Sequence, residues 1–178
     1  MPPLGTRGRT MTATRQWKRK VCLVGEGAVG KTSLIRRFVV DRYDDRYIAT
    51  LGTKVTKKAV ELRPPETAQP MRVELMIWDV MGQSRFRELL QDAYFEGAAG
   101  ILAVADITRQ ETFDALAEWI ERVDRVTAGV PIVLAVNKAD LTADPRLGDV
   151  SRLGQAYGAD FLVTSAKTGA NVEAAFRR

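Results

Sequence analysis

Several residue types are missing or scarce in this sequence, and each absence removes a class of chemistry. The 178-residue chain has no histidine and a single cysteine, and aromatic residues make up only 7% of it. Without histidine there is no Ser-His-Asp triad, no histidine general base and no histidine-ligated metal. One cysteine forms neither a disulfide framework nor a cysteine-rich zinc site, which favours a reducing, cytoplasmic location. Any catalysis must therefore use carboxylates, amides, hydroxyls, lysines, backbone dipoles or a hard cation such as Mg²⁺.

Long apolar runs are also lacking, since none reaches the roughly 18 residues that a transmembrane helix needs. The net charge is +5, but residues 1–20 contain six basic and no acidic residues, so the remainder has a net charge of −1. The basicity therefore belongs mainly to an N-terminal arm, and we expect no nucleic-acid partner, although such an arm can also attract RNA or anionic lipid. We predict a flexible basic leader over residues 1–17 and a single domain over residues 18–178.

Strand and helix signals alternate along the domain. Helical spacing covers residues 31–40, 84–95, 110–127 and 149–157, with a last helix from Asn171, and strand-like runs cover 20–25, 53–62, 72–79, 100–106, 131–137 and 160–164. Continuous apolar runs are typical of strands buried on both faces of a parallel sheet. We predict an α/β fold of three layers, with a mostly parallel six-stranded sheet, one antiparallel edge strand and ligands at the carboxyl ends of the strands. The last helix lacks a C-terminal capping signal, so we expect it to be truncated.

Residues 25–32 match the pattern G-x-x-x-x-G-K-[ST] between a predicted strand and a predicted helix. Glycines let the backbone wrap closely around phosphates, so that successive N–H groups and the helix N-terminus face the anion. The Lys31 ammonium is expected to contact the β- and γ-phosphates, and the Thr32 hydroxyl to bind Mg²⁺. The alternative is a glycine-rich turn with a surface lysine. The candidate nucleotide-binding residues of this phosphate loop are Gly25, Gly27, Ala28, Val29, Gly30, Lys31 and Thr32.

A second candidate phosphate loop, Asp79-Val80-Met81-Gly82-Gln83, follows another predicted strand. Asp79 is expected to hold Mg²⁺ through water, and the Gly82 N–H to meet the γ-phosphate. Gln83 is then expected to orient a water molecule for in-line attack. Taken alone, Asp79 fits a turn or a helix cap better than a metal-binding residue, so the assignment of this loop depends on the other motifs.

Two further loops indicate recognition of guanine. The Asp140 carboxylate of Asn137-Lys138-Ala139-Asp140 can accept both N1–H and the amino group of guanine, a pairing that adenine cannot offer. Asn137 is expected to reach the base edge and tie loops together, and the Lys138 stem to cover the ring. The stretch 164–167 can offer a backbone N–H to guanine O6, with Ser165, Ala166 and Lys167 as candidates. Each tetrapeptide alone is typical of a surface turn, but four such loops in this order indicate one pocket.

In the order and spacing of these motifs, residues 18–178 resemble the small GTPases of the Ras superfamily, closest in pattern to the Rab-like group. The stretch Trp78-Asp79 to Arg85-Phe86-Arg87 resembles the Rab-type W-D-x-x-G-Q-x-R-F-R. The resemblance implies a P-loop NTPase fold (G domain) in a small monomeric GTPase. Such a protein binds GTP and GDP with Mg²⁺, slowly hydrolyses GTP to GDP and phosphate, and cycles between effector-binding and inactive states. It also implies GTPase-activating, exchange and effector proteins that contact segments 41–58 and 80–95.

The resemblance assigns roles to single residues as well. Thr50 corresponds to a threonine that closes on Mg²⁺ and the γ-phosphate, and the Ser33 N–H to a donor for the α-phosphate. Tyr43 corresponds to an aromatic residue that packs against guanine, and Tyr47 to a tyrosine that covers the phosphates. The candidate catalytic residues are therefore Gln83, Lys31 and Thr50, and the candidate metal ligands are Thr32, Thr50 and Asp79.

The sequence departs from the family pattern at several points. Val80-Met81 replaces the usual Thr-Ala, and Gly52-Thr53-Lys54 departs from the usual Rab effector stretch, so Rab effectors are not assumed. The chain lacks a C-terminal lipidation cysteine, so either a tail is missing or the protein works without an anchor, and we expect that membrane anchoring is not encoded in this chain. Cys22 is predicted to be a buried packing residue. Because no arginine is evidently aimed at the γ-phosphate, we expect slow hydrolysis that an arginine supplied in trans accelerates.

Two other functions fit parts of the pattern. A nucleotide-stabilised scaffold with negligible turnover would share the same loops, but it would not need Gln83 or Thr50. An ATP-using kinase would need a lid over its acceptor substrate, and the motif at 137–140 opposes it. We expect the GTP-hydrolysing switch.

Overall fold

The structure, a computed structural model, describes residues 16–44, 46, 50, 52–63, 70–80, 92–127, 129–142 and 147–178. Its strands are β1 (Gln16–Val24), β2 (Thr53–Leu62), β3 (Met71–Val80), β4 (Ala98–Asp106), β5 (Ile132–Asn137) and β6 (Asp160–Val163). Its helices are α1 (Lys31–Val40), α2 (Gln110–Thr127), α3 (Leu147–Tyr157) and α4 (Val172–Arg177). Short 3₁₀ turns cover Asp92–Tyr94 and Ala139–Leu141.

The six strands form one sheet in the order β2-β3-β1-β4-β5-β6. β2 and β3 pair antiparallel, from Leu62 opposite Met71 to Thr53 opposite Val80, and all other neighbouring strands pair parallel. The predicted α/β fold, with its mostly parallel sheet and one antiparallel edge strand, is confirmed. The carboxyl ends of the five parallel strands therefore meet at one edge of the sheet, where ligands bind in such folds.

Apolar side chains cover both faces of the sheet, which gives the predicted three layers. On one face α1 and α4 pack together, and the rings of Phe38 and Phe176 stack with centroids 4.2 Å apart. On the other face α2 buries Phe113, Leu116, Trp119, Ile120 and Val123, whose spacing follows the helical period. None of the helices in the described ranges is long and apolar enough to cross a membrane.

Most predicted elements are confirmed within a few residues, and α1, β2 and α2 have the predicted bounds. β1 is a correction, because it begins at Gln16, four residues before the predicted strand and inside the predicted leader. Residues 16–19 pair with Arg72–Leu75 of β3, so backbone hydrogen bonds extend the strand through the charged residues Lys18 and Arg19. Residues 1–15 of the leader lie outside the described residues.

The predicted helix at 84–95 is also corrected at its end. Residues 84–91 lie outside the described residues, whereas Asp92–Tyr94 form a 3₁₀ turn in which the Phe95 N–H donates to the Asp92 carbonyl at 2.9 Å. Turn residues 95–97, in which Gly97 has a φ of 70°, then lead into β4. The described end of the predicted α-helix is therefore a 3₁₀ turn followed by an ordinary turn.

Candidate nucleotide site

The phosphate loop joins β1 to α1 and approaches two neighbouring strands very closely. A Cβ atom added to Gly25 would lie 2.2 Å from the Val104 carbonyl oxygen of β4. One added to Gly30 would lie 2.3 Å from the Asn137 amide nitrogen at the end of β5. The glycines of the motif are therefore required by close packing at the centre of the sheet edge, which excludes the alternative of an ordinary surface turn.

Lys31 begins α1 and is buried. Its ammonium donates to the carbonyls of Gly25 and Glu26, at 2.7 Å each, and so curls back across its own loop. Burial lowers the pKa of Lys31 to about 8, although the neighbouring Asp79 and Glu26 oppose the shift. At neutral pH the group is still mostly charged, so the loop presents a desolvated cation where the sequence predicts phosphate.

Thr32, Thr50 and Asp79 meet beside this lysine. The Thr32 hydroxyl donates to Asp79 Oδ2 at 2.5 Å and lies 2.8 Å from the Thr50 hydroxyl. Asp79 is buried, and burial raises the pKa of its carboxyl despite the Thr32 hydrogen bond and the Lys31 charge. Within the described part of the chain, Asp79 Oδ1 has no hydrogen-bond partner. Two hydroxyls and one carboxylate with an unsatisfied buried oxygen are a donor set that fits Mg²⁺.

The buried side chain of Asn137, at the end of β5, connects three loops. Its amide donates to the Val29 carbonyl of the phosphate loop at 2.9 Å. Its oxygen accepts the Ala166 N–H at 3.1 Å and faces the Thr164 hydroxyl at 3.4 Å. Asn137 therefore ties the loops together as the sequence predicts.

The two base loops, residues 137–140 and 164–167, also contact each other directly. The buried Ser165 hydroxyl donates to Asp140 Oδ1 at 2.6 Å, and the Ala139 N–H donates to the Thr164 carbonyl at 3.1 Å. The Asp140 residue itself is exposed. This arrangement orients a carboxylate at the sheet edge, as recognition of a guanine base requires.

Arg37 of α1 donates hydrogen bonds to the backbone of the second base loop. Its Nε donates to the Ala166 carbonyl at 2.8 Å, and its Nη2 donates to the Lys167 carbonyl at 2.6 Å. Lys167 is exposed. The loop that the sequence assigns to guanine is thus fixed to the helix that begins at the phosphate loop.

Sequence reasoning did not identify Asp106 and Arg109. Asp106 ends β4 and is 1% exposed, and its Oδ2 lies 2.6 Å from the Lys138 ammonium and 3.1 Å from Arg109 Nε. Arg109 also donates from Nη2 to the Gly27 carbonyl at 2.7 Å. A signal was available, since Asp106 is a carboxylate at the end of an apolar strand, the placement that singled out Asp79.

The predicted packing residue Cys22 is confirmed as buried. Burial raises the pKa of Cys22 to about 12, and its thiol faces the Tyr94 carbonyl at 3.6 Å. Trp119 is fully buried in the core, and its indole N–H also reaches the Glu26 carboxylate of the phosphate loop at 3.4 Å. Trp78 is only half-buried, and the Lys20 ammonium lies 4.1 Å from the centroid of its ring.

The contacts described above do not include every predicted site residue. Tyr43 follows α1 and is 38% exposed. Tyr47, Gly82, Gln83 and residues 85–87 lie outside the described residues, so their roles stay predictions. The described members of the phosphate, metal and base groups nevertheless meet at one edge of the sheet, through the contacts of Lys31, Thr32 and Asn137.

Comparison with known proteins agrees with this arrangement. A sequence model of the Ras family matches residues 20–178. The chain is 36% identical over 160 residues to the Ras-related protein Rab-13 of Mesocricetus auratus, covering 88% of this chain and 75% of the relative. It is 41% identical over 162 residues to the GTP-binding protein YPTM1 of Zea mays, covering 88% of this chain and 74% of the relative.

Proposed function

This chain belongs to the Ras family as a Rab-like small GTPase, a GTP-binding switch that hydrolyses GTP, and from that premise we propose the roles of its residues. The phosphates lie along residues 25–33 and the guanine lies against the two base loops. The observation that carries this assignment is the Asn137 side chain, which joins the phosphate loop to the second base loop through Val29 and Ala166. A scaffold that never turns over is not favoured by the family.

Lys31 and the backbone N–H groups of the phosphate loop act on the transferred phosphoryl group. The negative charge of that phosphoryl group spreads over the γ-phosphate oxygens in the transition state. Fixed donors in a site that excludes water stabilise this charge. With a pKa of about 8, the Lys31 ammonium is mostly charged at neutral pH. Because it is already anchored on the Gly25 and Glu26 carbonyls, little reorganisation is needed when the phosphates bind.

Thr32, Thr50 and Asp79 would hold Mg²⁺, which supplies charge neutralisation at the β- and γ-phosphate oxygens. The orphaned Asp79 Oδ1 supports this assignment. Thr50 contacts Thr32 at 2.8 Å, so the segment that carries Thr50 can respond to the occupancy of the site. Hydrolysis would remove the γ-phosphate contact and release that segment, which is the switch.

Gln83 orients the attacking water in this proposal, and phosphate release tests it. In a single turnover of bound GTP, Gln83→Leu should reduce phosphate release to the background rate and leave GTP affinity unchanged. Gln155→Leu, in an exposed position of α3, is the matched control and should behave as the wild type. Unchanged release from Gln83→Leu would remove the glutamine from the mechanism, whereas GTP binding without release in the wild type would favour a scaffold.

We further propose that activating, exchange and effector proteins contact segments 41–58 and 80–95. Val55 of β2 supports this, because it is 42% exposed and lies opposite the half-buried Trp78 of β3. Apolar area exposed beside an aromatic ring suits a protein contact. A purified activating protein should accelerate hydrolysis roughly 10³–10⁵-fold if it supplies an arginine, and Val55→Asp should weaken its binding.

We propose a cytoplasmic location as well. The single cysteine is a buried free thiol, and free thiols persist in reducing compartments. Subcellular fractionation of the tagged chain, with a cytoplasmic and a secreted marker, tests the proposal.

A further inference from the structure

The Asp106 carboxylate, at the end of β4, lies between the phosphate loop and the first base loop. It is 1% exposed, and within the described residues its carboxylate accepts from Thr108, Arg109 and Lys138. The Thr108 N–H and hydroxyl donate to Oδ1 at 3.0 and 2.7 Å. The Lys138 ammonium and Arg109 Nε share Oδ2. Four donors therefore fix the orientation of one buried carboxylate.

Arg109 extends this network to the phosphate loop. Its guanidinium is planar and rigid, so anchoring Nε on Asp106 also fixes the direction of Nη2, which donates to the Gly27 carbonyl at 2.7 Å. In a trans peptide the C=O and N–H groups point in opposite directions. Holding the Gly27 carbonyl outward therefore turns the Ala28 N–H toward the opposite side of the loop.

Ala28 has the backbone conformation that such a contact must maintain. Its φ is 61°, in the left-handed region that residues with a Cβ seldom adopt, at a cost of roughly 1–2 kcal/mol. Arg109 supplies a hydrogen bond that favours this conformation. The same carboxylate anchors the ammonium of Lys138, whose own φ is 67° and whose stem is assigned to cover the base.

We propose that Asp106 is a positioning residue for nucleotide binding that couples phosphate recognition to base recognition. Through Arg109 and the Gly27 carbonyl, Asp106 directs the Ala28 N–H toward the phosphates. Through its ion pair with Lys138, it positions the lysine stem that is assigned to cover the base. The proposal rests on the assignment of residues 25–33 to the phosphates.

Release of a fluorescent GDP analogue, together with competition by GDP and by guanosine, tests the proposal in the full chain. Arg109→Ala should speed release roughly tenfold, the factor that about 1.4 kcal/mol gives, and leave guanosine affinity unchanged because guanosine has no phosphate. Arg109→Lys should not restore slow release, since one ammonium cannot reproduce the rigid fork. Arg125→Ala, in the exposed last turn of α2, is the matched control.

Asp106→Asn should weaken the binding of both GDP and guanosine. Because Asp106 acts on the phosphate loop through Arg109, the double variant Asp106→Asn with Arg109→Ala should release GDP no faster than Asp106→Asn alone. Additive effects, or an Arg109→Ala variant that releases GDP as slowly as Arg125→Ala, would overturn the proposal. If Arg109 had a merely structural role, Arg109→Ala would lower the affinities for GDP and guanosine in parallel, and that outcome also counts against the proposal.

These variants distinguish a failure to fold from a loss of nucleotide binding. Arg109 is about a third exposed, so its variants carry the test even if Asp106→Asn does not fold. If the wild type itself fails to bind GDP, the assignment of the site is wrong. If the wild type binds GDP and Arg109→Ala releases it at the wild-type rate, only the coupling role is wrong.

Discussion

Asn137 illustrates how one side chain fixes the geometry of three loops. A primary amide carries both a donor and an acceptor, and Asn137 uses the donor on Val29 and the acceptor on Ala166. An aspartate of the same shape could not donate to the Val29 carbonyl, and it would bury a charge against that carbonyl's negative end. The chemistry of the contact, and not only the size of the side chain, therefore requires asparagine.

Cys22 gives the protein a stability that depends on pH. Burial raises the pKa of its thiol from 9.0 to about 12, so between these values the folded state holds a proton that the unfolded chain has lost. The contribution of the thiol to the free energy of unfolding then falls as pH rises through this window, by at most about 1.4 kcal/mol per pH unit. Urea unfolding at pH 8, 9 and 10 should therefore show a more negative dependence of the free energy of unfolding on pH in the wild type than in Cys22→Ala.

The difference between the pH dependences of the wild type and of Cys22→Ala gives the contribution of the thiol alone. Lys31 contributes a slope of opposite sign between about pH 8 and 10.5, because its lowered pKa leaves the folded state with fewer protons than the unfolded chain. Both proteins retain Lys31, so its contribution cancels in the comparison. Two curves that run parallel from pH 8 to 10 would contradict the assignment to Cys22.

At the scale of elements, the contact between α1 and the second base loop has a measurable energy. Arg37→Ala removes two charged donors from the Ala166 and Lys167 carbonyls, and Ala166 is buried. Hydrogen bonds from charged groups contribute about 1.5–3 kcal/mol, so we expect the free energy of unfolding to fall by roughly that amount. Urea unfolding with an unchanged m-value is the measurement.

Arg36 is the matched control for this prediction. It lies one residue earlier on α1 and pairs with Asp44 at 3.5 Å, with both side chains well exposed. Exposed ion pairs contribute about 0–1 kcal/mol, so Arg36→Ala should change stability little. Equal losses from the two variants would mean that anchoring of the loop does not account for the effect.

The elements that the sequence predicts well are those whose side chains follow a period. α2 keeps apolar residues on one face over five turns, and its bounds are as predicted. The first part of β1 carries no such pattern, because Lys18, Arg19 and Lys20 are charged and the strand there depends on backbone pairing with β3. A strand stabilised by its neighbour cannot be located from its own residues.

The same limit applies to the candidate site. The phosphate loop and Asn137 were predictable because contiguous motifs place each residue type at a fixed distance from a strand end. Arg109 and Arg37 act through contacts with residues distant in the sequence, Arg109 with Gly27 and Arg37 with Ala166. No spacing rule encodes a contact across 82 or 129 positions, so these residues required the fold.

At the scale of the whole molecule, the site joins loops that are far apart in the sequence. The phosphate loop follows β1, whereas the base loops follow β5 and β6 on the far side of β4. The two packed cores lie on opposite faces of this one sheet. A ligand that contacts all of these loops binds only when the whole sheet is assembled, so it stabilises the complete fold.

Thermal unfolding of nucleotide-free protein should therefore respond to the base and not only to the phosphates. GDP with Mg²⁺ at about 100 times its Kd adds about 2.7 kcal/mol, which raises Tm by roughly 5–10 °C for a chain of this size. ATP should give no shift, since adenine does not offer the Asp140 carboxylate the pair of N–H donors that guanine offers. Asp140→Asn should lose the response to GDP and respond to xanthosine diphosphate, because its amide can donate to the oxygen that replaces the guanine amino group. Equal shifts by GDP and ATP would contradict a guanine-selective site built from the base loops.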